Sequence, residues 1–192
     1  MKTLPRFLLL LMTSFAIPAH AMNDSEFTTL HSIYMKGING SENDLKNAIS
    51  HFEHLPSPAP YDIFINTYRG SLRTSMAQHV YMPWNKMGHV DAGSELMDNA
   101  LDEITEIHET QTLAGTALDF RMKLVVAHTY FRFPRLLNRF QDAKDIVAEL
   151  LESLQRTTAN TEAKNSLYKL AAAIAEEDGD AEKKAEFLSK TE

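Results

Sequence analysis

Residues 140–154 read FQDAKDIVAELLESL, and this stretch decides the fold class. Its apolar residues recur at alternating intervals of three and four, at Phe140, Ala143, Val147, Leu150 and Leu154. That spacing places all of them on one face of an α-helix, with Asp, Glu and Lys on the opposite face. The stretch therefore predicts an amphipathic helix that packs on a core along a single stripe.

The same three-and-four spacing recurs outward along the chain in both directions. No segment alternates apolar and polar residues with a period of two, so no strand is predicted. The segment from 113 to 131 has apolar residues on two faces, which is typical of a central helix packed on both sides. By their first and last apolar residues, the predicted helices are 27–38, 45–55, 64–80, 87–104, 113–131, 140–154, 163–174 and 181–188.

The five prolines after residue 21 lie between the periodic segments, where a residue without an N–H group does not break a helix. They are Pro56, Pro58, Pro60, Pro83 and Pro134. The remaining connections are short, and short connections make consecutive helices antiparallel neighbours. The sequence thus predicts an all-α fold of about eight antiparallel helices in four hairpins.

One of these predicted hairpins has a recognisable motif. It reads Gly40-x-x-x-Asp44-Leu45-x-x-Ala48-x-x-x-Phe52, with Pro56 after it, and a related pattern runs from Tyr168 through Gly179-Asp180-x-x-Lys183. The motif resembles the tetratricopeptide-repeat superfamily, whose repeat is a helical hairpin of about 34 residues. The two middle hairpins are longer than that, so the resemblance implies a degenerate α-solenoid that binds proteins.

A second resemblance lies in the middle of the chain. It rests on Tyr68-x-Gly70-Ser71-Leu72-x-Thr74 and on residues 82–87, which read MPWNKM. This stretch is similar to one in small exported bacterial repeat proteins of unknown role. It implies export but no particular chemistry.

The N-terminal stretch MKTLPRFLLLLMTSFAIPAHA, residues 1–21, is typical of a secretory signal peptide. Lys2 and Arg6 precede an apolar run, and Ala19-x-Ala21 provides the small residues that a signal peptidase requires. An uncleaved anchor is the alternative, but the run is shorter than the roughly 20 apolar residues of a transmembrane helix. We therefore expect cleavage after Ala21, a single helical domain over 22–192, a periplasmic or secreted location and no membrane attachment after cleavage.

The composition excludes several classes of function. The chain of 192 residues has a net charge of −7 and no cysteine. Disulfides, thiolate zinc sites and cysteine nucleophiles are therefore absent. An acidic chain does not attract a phosphate backbone, so no nucleic-acid partner is expected.

The most unusual segment runs from residue 69 to residue 86. Gly70 lies within a predicted helix, where Gly is unfavourable unless another backbone comes close. Arg69 and Arg73 share one face, and the only tryptophan follows them, so the segment could hold a carboxylate or a peptide terminus. Alternatively, the arginines pair with surplus carboxylates and the tryptophan plugs the end of the hairpin. The candidate partner-binding residues are Arg69, Arg73, His79, Trp84 and Lys86.

The sequence contains none of the motifs that identify catalysis, phosphate binding or dinucleotide binding, so we expect no enzyme activity and no cofactor. His51 and His54 lie at helical spacing but lack a third ligand, so no metal is expected. The predicted function is a protein-interaction or scaffold module with a protein or peptide partner. The alternative is a small-ligand-binding protein or an enzyme that uses the Arg69–Lys86 region. A deep, closed polar pocket lined by Arg73, His79 and Trp84 would favour the alternative, and an open groove with exposed apolar residues would favour the scaffold.

Overall fold

The computed structural model describes residues 22–56 and 58–191. The predicted signal peptide, residues 1–21, lies outside them, so its cleavage stays a prediction. Helices make up most of the described chain, which confirms the predicted all-α class. The described helices are α1 (Asp24–Asn39), α2 (Glu42–Glu53), α3 (Tyr61–Ser75), α4 (Pro83–Asp102), α5 (Glu106–Thr110), α6 (Leu118–Phe131), α7 (Phe140–Ser153), α8 (Thr161–Glu177) and α9 (Ala181–Ser189).

Polar side chains fix where several of these helices begin. The Asn23 and Ser41 side chains accept from backbone N–H groups of the first turns of α1 and α2. In α8, Asn160 Oδ1 accepts from the Ala163 N–H at 2.8 Å. Each cap satisfies donors that have no partner within the helix.

The helices pack in consecutive pairs, α1 on α2, α3 on α4, α6 on α7 and α8 on α9. The first helices of these pairs also contact each other in series, α1 with α3, α3 with α6 and α6 with α8. The seam between α3 and α4 is very close, since a Cβ atom at Gly70 would lie 2.6 Å from the Gly93 carbonyl oxygen. Gly70 therefore allows the close backbone approach that its position in the sequence predicted.

The region before α6 differs from the prediction. Residues 113–117 were predicted as the start of a helix, but Thr112–Leu113 (β1) and Thr116–Ala117 (β2) form a small antiparallel sheet. The chain reverses through Ala114 and Gly115, whose φ angles of 45° and 70° are left-handed and incompatible with an α-helix. The prediction of no strand was therefore wrong here, although α6 itself is buried on several faces, as expected.

The core is centred on α3 and α6. Tyr68 of α3 lies among aromatic rings of α1, α2 and α3, and α6 has eleven buried residues along its length. α3 also ends earlier than predicted, at Ser75, with a 3-10 turn over Met76–Gln78. Within residues 22–56 and 58–191, none of the helices is both long enough and apolar enough to cross a membrane.

Candidate functional site

The structure separates the five predicted site residues. The Arg69 guanidinium, on α3, donates to the Phe52 and Leu55 carbonyl oxygens at 2.9 and 3.1 Å, and to Asn66. It thus completes the C-terminal end of α2, whose last carbonyls have no partner within the helix. Arg73 and His79 lie exposed at the surface.

Trp84 lies at the surface at the start of α4. It is 69% exposed, so the interpretation that it plugs the end of the hairpin is wrong. Tyr81 is 90% exposed, and Met82 and Met87 are also exposed. We call these four residues the Tyr81–Met87 surface. Soluble proteins rarely expose several large apolar side chains together unless the surface binds something.

A cavity of about 680 Å³ lies beside this surface. It is lined by residues of α1, α3, α4, α6 and α8, so it occupies the side of the molecule that the first helices of the pairs share. Of the five predicted residues, only Lys86 is among those that line it. Its volume is in the range of small-molecule binding sites, about 300–1,000 Å³.

One face of α6 forms the length of the cavity. The residues of that face are Arg121, Leu124, Val125, His128, Thr129 and Arg132, at the spacing of a single helical stripe extended one residue beyond the helix. Arg132 is eleven positions after Arg121. Because an α-helix rises about 1.5 Å per residue, the two arginines lie roughly 16 Å apart along the helix axis. The cavity therefore has a cation near each end, with both apolar side chains and hydrogen-bonded polar side chains between.

Arg121 is held rigidly at one end. It is 8% exposed, and its Nε and Nη2 atoms donate to the Leu113 carbonyl oxygen at 3.1 and 2.9 Å. Its guanidinium also lies 4.2 Å from the centre of the Phe27 ring. Among the described residues, no carboxylate forms an ion pair with it, which is unusual for a buried charge.

Two polar side chains adjoin Arg121 in the cavity. Tyr68 is 2% exposed, and it lines the cavity. The His31 ring stacks on Phe27, at 5.4 Å between centroids, and its Nδ1 atom is buried without a partner among the described residues. Buried polar groups normally have partners, so this end of the cavity is chemically incomplete.

The middle of the cavity is a satisfied polar cluster. The Tyr34 hydroxyl and Ser71 Oγ are hydrogen-bonded at 2.9 Å, and Thr129 Oγ1 lies 2.8 Å from the same Ser71 oxygen. On the same face of α6, His128 Nε2 lies 2.8 Å from Ser166 Oγ of α8. These contacts join α1, α3, α6 and α8 around the cavity wall.

At the opposite end, Arg132 and Lys86 are exposed. Neither forms an ion pair within the described residues. The pKa of His128 is lowered to about 4, first by burial and then by the positive charge of Arg132. The Arg132 charge thus acts on the interior of the cavity.

The His128 pKa makes stability depend on pH. In the unfolded chain this histidine titrates near 6.5, so the unfolded state takes up a proton that the folded state excludes. Stability is therefore retained above that value and lost as pH falls, by about 2 kcal/mol between about pH 7 and pH 5. We expect His128→Gln, which keeps a partner for Ser166, to remove most of this loss in urea unfolding at the two pH values. Equal pH dependence of both proteins would contradict the assignment.

Sequence reasoning missed Arg121 and Arg132, although both continue the apolar stripe of Leu124 and His128 at intervals of three and four. A positively charged residue on an otherwise apolar helix face can be recognised in the sequence, and it indicates a cavity against that face of the helix. Across the residues that the structure describes, no three His, Asp or Glu side chains are grouped to hold a metal ion, and His54 Nδ1 instead lies 2.6 Å from the Ser50 carbonyl oxygen. The chain matches no protein-family model, no curated protein and no solved structure.

Proposed function

We propose that this protein is an exported, periplasmic interaction module built as a degenerate tetratricopeptide-like α-solenoid. The packing of consecutive helix pairs, with their first helices stacked in series, supports the solenoid. So do Ala48, Ala100 and Ala143, which are buried on the second helices where a solenoid needs small residues. Export rests on the signal-peptide pattern of residues 1–21.

The Tyr81–Met87 surface is the observation that supports protein binding most strongly. Aromatic side chains contribute most of the binding energy at protein interfaces, and Trp and Tyr are enriched among the residues that matter most. Here Tyr81 precedes α4 and Trp84 lies in its first turn, with exposed His79 before them and exposed Lys86 after them. An apolar centre with a basic rim suits a partner surface that is apolar with acidic edges.

Trp84→Ala tests this function. We expect the variant to bind its partner at least tenfold more weakly and so to fail to capture it. The reason is that a central aromatic side chain contributes about 2 kcal/mol or more to binding. Stability should change by less than about 0.5 kcal/mol, since the side chain is exposed. The measurement is affinity capture from periplasmic extract by the tagged protein, with quantitative mass spectrometry.

Leu188→Ala is the matched control, because Leu188 of α9 is a comparably exposed apolar side chain, at 44%, outside this surface. The wild type and Leu188→Ala should enrich the same protein, and Trp84→Ala should not. If all three enrich the same set, the Tyr81–Met87 surface is not the interface.

Small-ligand binding is the second candidate function, and the cavity is the observation that favours it. The cavity does not use the Arg69–Lys86 region as a whole, since Lys86 alone of the five candidates lines it. We propose no enzyme activity for it. His128 Nε2 and Ser166 Oγ line the cavity 2.8 Å apart, but among the described residues no carboxylate is hydrogen-bonded to His128 to orient the ring as a base.

A further inference from the structure

We propose that the cavity binds a single-chain amphipathic carboxylate, such as a fatty acid, with its carboxylate beside Arg121, Tyr68 and His31 and its apolar chain along α6. This goes beyond the proposed protein interaction, which rests on the Tyr81–Met87 surface. Met87 belongs to both sites. Tyr81 and Trp84 do not line the cavity, however, and the polar residues at its Arg121 end lie outside the Tyr81–Met87 surface, so each site can be tested without the other.

The polar end of the cavity has the donors that a carboxylate requires. Arg121 is always charged, and three carbonyl hydrogen bonds to Leu113 and Ala114 fix the position of its guanidinium. Burial raises the pKa of Tyr68, so its hydroxyl stays protonated and can donate. Arg121 and Tyr68 each influence the pKa of the other, which places the hydroxyl in the field of the guanidinium.

His31 completes this end of the cavity. Burial lowers the pKa of His31, so its ring is neutral near neutral pH and one nitrogen donates. Its ring and the Arg121 guanidinium both lie against the Phe27 ring, at 5.4 and 4.2 Å from its centre. Since His31, Tyr68 and Arg121 all line the cavity, a carboxylate bound at this end has donors from each of them, including the ring of His31, whose Nδ1 atom has no partner among the described residues.

The charges of the lining favour an anion in an otherwise acidic protein. The chain as a whole has a net charge of −7. Yet the cavity is lined by Lys86, Arg121 and Arg132 and by a single acid, Glu162. Glu162 influences the pKa of both His31 and Arg121, so it lies at their end of the cavity and opposes an anion there. Three cations against one acid still leave the lining positive, which favours an anion over a cation.

The rest of the lining fits an aliphatic chain. From the Arg121 end, the wall continues through Leu124 and Val125 of α6, with Met87 and Val90 of α4 among the other apolar residues. An unbranched chain can follow this wall for most of the roughly 16 Å between the arginines. Each buried methylene group then adds to affinity.

Three amphiphiles with the same tail test the headgroup: dodecanoate, dodecanol and dodecyltrimethylammonium, each titrated calorimetrically into the whole protein. We expect dodecanoate to bind at least tenfold more tightly than dodecanol, because it adds charge-assisted hydrogen bonds. The cationic amphiphile should bind most weakly. Equal affinity for all three would overturn the carboxylate assignment.

Two conservative variants test the residues. Tyr68→Phe keeps the packed ring and removes only a hydroxyl of a cavity-lining residue, so the fold should be unchanged while dodecanoate affinity falls by roughly tenfold. Glu162→Gln removes the one acid of the lining, so dodecanoate should bind more tightly. A purely structural role for these residues predicts neither change.

Tyr81→Phe and Trp84→Ala are the controls. Both alter the exposed surface, and neither should change dodecanoate binding. If Tyr68→Phe and Glu162→Gln leave dodecanoate affinity unchanged, the proposal is wrong. If Trp84→Ala abolishes partner capture while dodecanoate still binds, both functions stand independently.

Discussion

Replacing Gly93 with Ala is expected to destabilise the protein by about 3 kcal/mol, the upper end of the usual cost of overpacking. A Cβ atom at this position would lie 2.1 Å from Thr74 Oγ1, 2.6 Å from the Gly70 carbonyl oxygen and 2.8 Å from the Thr74 backbone nitrogen. Two of these atoms belong to the backbone of α3, so the helices must move apart to admit the methyl group. That movement would disturb the close packing of α3 on α4.

Gly88→Ala is the matched control for this prediction. Gly88 lies in the same helix, α4, and a Cβ atom there would have nothing within 4 Å. Ala is a better helix former than Gly, so this substitution should stabilise the protein by about 0.5–1 kcal/mol. Urea unfolding of both variants should give changes of opposite sign. A stabilising effect of Gly93→Ala would mean that the α3–α4 seam is looser than the structure indicates.

The pattern of residues predicts the helices well wherever one face alone is buried. The stretch that became α7 is the clearest case, because its five apolar residues form one stripe and Ala143, Val147 and Leu150 are indeed buried. The segment before α6 was predicted wrongly for a physical reason. Leu113 and Ala117 are four residues apart and both buried, which is the helical pattern. The left-handed turn at Gly115 brings them into the core by a different route.

The candidate site was harder to predict from the sequence, because it depends on what lies opposite each side chain. The sequence pattern suggests Arg69 as a partner-binding residue, but its guanidinium donates to backbone carbonyl oxygens at the end of α2. The positions of those carbonyl groups cannot be deduced from a sequence pattern. The single tryptophan had two interpretations, and only its exposure in the structure separates them. Arg121 is a candidate binding residue because it lies over the Phe27 ring and interacts electrostatically with Tyr68, and both residues are distant from it in the sequence.

Replacing Tyr68 with Ala is expected to cost about 3–5 kcal/mol, as for other large aromatic residues truncated in a core. The ring is 2% exposed and lies at the centre of the aromatic cluster. Its centroid is 4.7 Å from that of Tyr34, 4.9 Å from that of Phe64 and 5.8 Å from that of Phe52. Such contacts between α1, α2 and α3 add to the stabilisation from burial alone.

The comparison with two other tyrosine variants separates the ring from its hydroxyl. Tyr81→Ala removes a ring that is 90% exposed, so its stability should stay within about 0.5 kcal/mol of the wild type. Tyr68→Phe keeps the packed ring, so it should unfold at nearly the same urea concentration as the wild type. A domain of this kind has only about 5–15 kcal/mol of stability, so the loss in Tyr68→Ala should be evident in any unfolding measurement. If Tyr68→Phe were as unstable as Tyr68→Ala, the hydroxyl would have a structural partner, and it would not be available to a ligand in the cavity.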